Sequence, residues 1–256
     1  MATYNKKGKK PSSKEKARTK VEQESTTAEV FNTLDESAGK TEAWVAENQK
    51  YIYIIVGLAA VIVLGYLGFQ KFIQEPKEAE AANEMFQAQR YFDTALAGSG
   101  TQADSLYNMS ITGGEGKYGF LDIIDNYSST KAANLAHYYA GFAYLNTNSY
   151  QEAIDQLEDF NSDDEILAAL AVGGIGDAFL QLNQPEEALK YYDKAASMRS
   201  NEFTAPKFLL KATITAIQLG KGEQAIKYLD RIKDEFSTSS EANQVPVYMG
   251  RAQAMK

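Results

Sequence analysis

Hydrophobic and polar positions fall into three unlike stretches along the chain. From Tyr51 to Phe69 it reads YIYIIVGLAAVIVLGYLGF, with no Ser, Thr, Asn, Gln or charged residue. At about 1.5 Å per residue this run is ~28 Å long as a helix, close to the apolar thickness of a bilayer. Lys50 and Lys71 bracket it. Trp44, Tyr51 and Tyr53 stand at one end and Tyr66, Phe69 and Phe72 at the other, as interfacial aromatics do. The pattern predicts a transmembrane anchor over residues 50–73. A cleaved leader does not fit, because the nearest small-x-small triplet, Ala79-Glu80-Ala81, lies well past the run. Upstream, Phe31, Leu34, Ala38 and Val45 share one helical face, which predicts a juxtamembrane amphipathic helix over 28–49. Residues 1–27 are rich in Lys and Ser and read as a disordered tail. Downstream of Pro76 the period is helical throughout. Ala81, Met85, Ala88 and Phe92 mark one apolar face, and no Asn-Gly or Asp-Gly hairpin dipeptide occurs. Glycines bracket the segment Gly98–Gly114, which reads as an irregular loop.

The third stretch, 76–256, is self-similar. GFAYLNTNSYQEAIDQL, from Gly141, answers GDAFLQLNQPEEALKYY, from Gly176. Gly141 and Gly176, Tyr144 and Phe179, Ala153 and Ala188, and Leu157 and Tyr192 are each 35 apart. A weaker copy follows 37 residues on, with Ile217, Gln218, Leu219 and Ala225 at the matching positions and Thr213 in place of the glycine. A half-unit, YGFLDIIDNYSS, ends like YLDRIKDEFSTS, and VYMGRAQA near the C-terminus reads as a first helix that stops. The physical unit is helix–turn–helix. The glycines let the first helix approach the second, and the alanines are the small residues where the two cross. Ser149-x-x-Glu152 predicts a capping box and Pro185 a first helical position. Each pair leaves an apolar face that the next pair covers, so the pairs stack.

Charge sharpens this division. The formal charge of −8 over 256 residues is unevenly placed. Residues 1–50 hold ten basic and eight acidic groups, and 70–256 hold sixteen basic and twenty-six acidic, a net of −10. Eight Lys or Arg against one acid, Glu15, within residues 1–20 place that end in the cytoplasm and the acidic stretch outside it. An acidic chain of this kind argues against nucleic acid as a partner. With no cysteine and one histidine, disulfides, thiolate zinc sites, cysteine nucleophiles and His-rich metal sites are excluded. Gly114-Glu-Gly-Lys-Tyr-Gly119 spells G-x-G-x-x-G, but no hydrophobic strand precedes it and no acid follows at the required distance. His137 has no nucleophile motif to serve and reads as a packed or rim residue. Asp163-Asp164-Glu165 reads as a solvated turn and helix start. No catalytic, cofactor, metal or small-molecule site is expected.

The repeat positions resemble the tetratricopeptide repeat, with its glycine or alanine, tyrosine, alanine and aromatic at these offsets and a period near 34. The likeness covers 134–202 well, 206–239 fairly and 80–130 loosely. The whole layout, a basic tail, EAWVAENQKYIYIIVGLAAVIVLGYLGFQKF, an Ala/Glu helix and degenerate repeats, resembles the YfgM-like ancillary subunit of the bacterial Sec translocon. The fold implied is all-α, a single N-terminal transmembrane helix followed by an α-solenoid of tetratricopeptide-like helix pairs. The resemblance further implies a single-pass inner-membrane protein with a periplasmic repeat domain and no enzymatic activity. It would work beside translocon subunits, a membrane-anchored peptidyl-prolyl isomerase-type chaperone and exported clients. A scaffold subunit of another envelope complex, in secretion, cytochrome assembly or division, is the alternative.

Carrying the family's groove offsets across gives Leu135, Tyr138, Phe142, Leu145 and Asn146 in the first good unit. The second gives Leu170, Gly173, Asp177, Leu180 and Gln181, and the third Lys207, Leu210, Ile214, Ile217 and Gln218. Lys207 alone of these is basic, so a carboxylate clamp is not expected. A mainly apolar groove suits a hydrophobic segment of a client or a partner's helix; the alternative is that it closes on itself, or on the 77–97 helix, and these residues are core.

Overall fold

A computed structural model describes residues 26–198 and 201–255, with side chains described from residue 41 onward. The chain divides into two units, Met1–Phe69 and Gln70–Lys256. Among the described residues the structure is helical, with no strand. The basic tail falls outside the described residues as far as residue 25, as do the side chains of Phe31, Leu34 and Ala38.

In the first unit, α1 runs from Thr26 to Phe69 without a break, so residues 28–49 and the apolar run share one helix. The helical stretch Thr41–Ala97 contains an 18-residue window of mean hydropathy 2.5, none of it buried, long and apolar enough to cross a membrane. Ile55, Val61 and Leu64 are two-thirds exposed to solvent, a large cost in water that lipid removes.

The second unit opens with a π-helical turn, Gln70–Gln74, and α2, Glu75–Ala97, which has Pro76 in its first turn. The α2 face carrying Ala81, Met85, Ala88, Phe92 and Ala95 is buried, as its period predicts. The segment Gly98–Gly114 is not a loop: α3 occupies Gly100–Thr112. The reason is an apolar face, Ala103, Tyr107 and Ile111 at i, i+4 and i+8, which packs into one cluster with α2, α4 (Phe120–Asn126) and α5 (Lys131–Asn146). Phe92 anchors that cluster edge-on against Tyr107, Phe120 and Tyr139. The half-unit likeness is real in geometry. Tyr127 and Phe236 each end a helix with an N–H donated four residues back, and each carbonyl accepts from the residue three further on.

Three helix pairs follow: α5 with α6 (Tyr150–Asp159), α7 (Glu165–Gln181) with α8 (Pro185–Met198), and α9 (Ala205–Gln218) with α10 (Gly222–Glu235). A 3-10 turn, Glu241–Gln244, leads to α11, Val245–Gln253. A methyl group built on Gly141 would sit 2.5 Å from Leu157, and one on Gly176 2.7 Å from Tyr192, so both helix crossings need a residue without a side chain. Opposite them Ala153 and Ala188, and Ala225 in the third pair, are fully buried.

The turn inside each pair is built three times from the same parts. Asn148, Asn183 and Gly220 all take the left-handed conformation, with φ of 62°, 57° and 71°. The residue after each donates back across the turn, Ser149 to Tyr144, Gln184 to Phe179 and Lys221 to Ala216, at 3.0, 2.9 and 2.8 Å. These are Schellman closures, for which Asn and Gly have the lowest steric cost. They also displace an expected feature. Ser149 stands before α6, but its side chain caps nothing, because its backbone is committed to the turn at ψ 68° rather than extended. Pro185 does begin α8. Asp164 caps α7, its carboxylate accepting from Ile166 and Leu167 at 2.9 and 2.8 Å, so the acidic run is a helix start.

One cap comes from far away in sequence. Glu78 on α2 accepts from the backbone N–H groups of Lys131 and Ala132, at 2.8 and 2.9 Å, while Gln74 donates to the Ser129 carbonyl at 2.7 Å. The first turn of α5 is thereby tied to the start of α2.

Candidate protein-interaction groove

The first helices of the pairs, α5, α7 and α9, present repeat-equivalent positions on one side of the stack. Where α5 meets α7, a cleft of about 480 Å³ opens, lined by Phe142, Leu145, Asn146, Asn148, Tyr150, Asp177, Leu180 and Gln181. Phe142, Leu145 and Leu180 supply an apolar floor, and amides and a phenol rim it. Asn148 and Tyr150 were not among the groove positions expected from sequence. They reach the cleft from the pair's turn and the start of α6, where the Tyr150 hydroxyl donates to Asn148 Oδ1 at 2.6 Å. Asn146 Nδ2 is turned back to the Phe142 carbonyl at 2.8 Å, which leaves its amide oxygen for another group.

The structure therefore brings together Phe142, Asn146, Asp177, Leu180 and Gln181 of the expected set, with Leu145. It places the others elsewhere. Leu135 packs against the α2–α5 core. Tyr138 is wedged between Phe142 and Phe160, ring centres 4.7 and 5.1 Å away, and burial pushes its phenol up to about 12. Leu170, Ile214 and Ile217 pack against the core of the second and third pairs, and Leu210 is buried within it. Gly173 is filled from outside by the ring of Phe208, so no groove can reach it. Lys207 and Gln218 are exposed on α9, outside the cleft. The offsets fail here because large side chains of α9, Phe208 above all, fill the space against α7.

Asp177 ties the cleft to the next repeat. Its Oδ1 accepts from the Tyr192 hydroxyl at 2.7 Å, and Lys211 Nζ on α9 reaches both carboxylate oxygens, at 2.5 and 2.7 Å. The ammonium also lies over the rings of Tyr192 and Phe208, 5.6 and 5.8 Å from their centres. Burial, then the Asp177 carboxylate, push the Tyr192 phenol far up. The cation associated with the groove is therefore Lys211, one turn beyond the Lys207 that the offsets selected. Its spacing of 34 from Asp177 was the available signal.

His137 is half-buried, with Nδ1 2.9 Å from Gln156 Oε1, a packing contact between α5 and α6. Among the described residues no group of three His, Asp or Glu is placed to hold a metal. A second cavity, about 720 Å³, is open to solvent at the α9–α10 turn beside Met255, away from the first-helix face.

Comparison with known families adds one result. The tetratricopeptide repeat family model matches residues 171–202. That interval covers most of the second helix pair, whose Schellman turn recurs on either side of it and whose glycine crossing recurs in the first pair. The chain therefore carries a tetratricopeptide repeat within an all-α stack of similar pairs, following a helix able to cross a membrane. Such repeats are, in general, non-enzymatic protein-interaction modules. No curated protein matches the chain.

Proposed function

We propose that this protein is a non-enzymatic adaptor or co-chaperone, held in the bacterial inner membrane by residues 51–69, whose repeat domain receives protein segments as they leave the Sec translocon. The N-terminal tail lies in the cytoplasm and the repeats in the periplasm. Translocon subunits, a membrane-anchored peptidyl-prolyl isomerase-type chaperone and exported clients are the partners. The observation that carries this reading is the open cleft between α5 and α7, apolar at its floor and amide-rimmed, on a chain that also has a span-length apolar helix. An extended or helical segment with apolar side chains would lay them on Phe142, Leu145 and Leu180 while its backbone meets the amides.

The test is photocrosslinking in intact membranes from a reactive residue at Leu180, compared with one at the far-side Lys190. Crosslinks to translocon subunits or to chains in transit, from Leu180 and not from Lys190, are the expected result. Crosslinks only to cytochrome-assembly, secretion-machine or division components would replace the proposal with the scaffold reading. A reporter fused after residue 256 should be active only outside the cytoplasm, and activity inside would reverse the topology.

A further inference from the structure

Asp177 is the charged side chain among the residues lining the cleft, and its surroundings say what it can bind. Its hydrogen-bond partners, Tyr192 and Lys211, come from α8 and α9. Oδ1 receives two donors and Oδ2 receives one, so Oδ2 keeps acceptor capacity. Its side chain remains 38% exposed. The other polar groups at the rim that are free to engage a ligand include the amide oxygens of Asn146 and Gln181, and Gln181 is exposed. Phe142 and Tyr150 add aromatic faces. No cation lines the cleft, and Lys211 is occupied by two carboxylate oxygens and two rings. The stretch 70–256 that carries the cleft has a net charge of −10.

Acceptors around a carboxylate, aromatic faces and an apolar floor suit a side chain with a long apolar stem and a cationic head. We propose that the α5–α7 cleft selects a partner segment that presents a lysine or arginine beside apolar residues, its charged head read by Asp177. The inference rests on the proposed interaction role and adds the chemistry of the segment that is taken. An incoming cation shares Asp177 with Lys211, so occupancy of the cleft also weakens the tie between the second and third pairs. Binding would thereby loosen the stack at one defined joint.

The experiment uses the full chain in detergent micelles and three labelled, capped peptides of one Ser/Gly frame. In each, two leucines flank a central residue, which is lysine, glutamine or glutamate. Fluorescence anisotropy should show the lysine peptide binding more tightly than the glutamine one by about fivefold, a factor that shrinks with added salt. Asp177→Asn should abolish that preference. Because this change also touches Tyr192 and Lys211, Gln181→Glu serves as a second variant on an exposed residue with no packing role. It should strengthen lysine-peptide binding and weaken glutamate-peptide binding. Equal binding of all three peptides, or tightest binding of the glutamate peptide, leaves the interaction role standing and overturns the cation selection. Lysine-peptide binding unchanged in both variants marks adsorption to the acidic surface and overturns it as well. No binding of any peptide overturns the interaction role together with this inference.

Discussion

Replacing Gly176 by alanine sets two opposing effects against each other, and the structure decides between them. In the interior of α7 the change should gain about 1 kcal/mol of helix propensity. The new methyl would lie 2.7 and 2.8 Å from two ring carbons of Tyr192 and 3.3 Å from the Ala188 carbonyl oxygen. Ordinary contact begins near 3.4 Å, so the ring must retreat by more than half an ångström. It has nowhere cheap to go. Tyr192 is 1% exposed, stacks on Phe208 at 6.4 Å and is held at its hydroxyl by Asp177. Overpacking of this kind costs about 1–3 kcal/mol, and giving up the hydroxyl bond costs about 1 more. The net expectation is destabilisation by about 1–3 kcal/mol, or a Tm lower by about 3–9 °C for a domain of this size. Gly250 is the control. It occupies the matching position in α11, where a methyl meets nothing within 4 Å, so Gly250→Ala should raise stability by up to about 1 kcal/mol. The assay is thermal unfolding of the full chain in mild detergent, followed by circular dichroism at 222 nm. Adding Tyr192→Leu to Gly176→Ala should recover part of the loss. A Gly176→Ala protein at least as stable as the parent would refute the close-crossing argument.

Gly220→Ala meets no neighbour but must hold φ at 71°, so it should cost about 1 kcal/mol where Gly250→Ala gains, checked in the same melts. Glu78→Ala should leave two N–H groups of α5 without their acceptor, cost about 1 kcal/mol and speed amide exchange at Lys131 and Ala132; unchanged exchange would remove the cap from the account. Burial pushes the phenols of Tyr138 and Tyr191 from 10.0 up to about 12, and Glu158, which accepts from the Tyr191 hydroxyl at 2.9 Å, adds to the second. The folded chain then keeps protons that the unfolded chain releases, so this stabilisation is complete below pH 10 and is lost as pH rises toward 12. Absorbance at 295 nm should show these tyrosines ionising late and together with unfolding, and early ionisation in a still folded domain would contradict it.

The stack was legible in the sequence where one chemical requirement recurs at one spacing. Gly141 and Gly176 both stand where a helix crosses its mate, with Ala153 and Ala188 opposite, whereas the turn role of Asn148, Asn183 and Gly220 emerges only in the structure. Periodicity failed where the reason for a residue lies off its own element. In α3 the flanking glycines masked a short apolar face that gains order only against α2 and α5. On the groove side, offsets placed Phe142, Asn146, Asp177, Leu180 and Gln181 around one cleft. They could not anticipate that Phe208 fills the space over Gly173 and closes the rest. The Asp177–Lys211 pair joins two different repeats, so no pattern within one repeat contains it.

The long-range cap on α5 has a consequence for the order of assembly. The carboxylate of Glu78 lies 53 residues before the amide it holds at Lys131. A ribosome making the chain completes α2 first, so the acceptor is already waiting when the first turn of α5 emerges. Each later helix can then dock on a finished neighbour, and the stack can grow from α2 onward in the direction of synthesis. A chain missing α2 would have to start that growth from a frayed end.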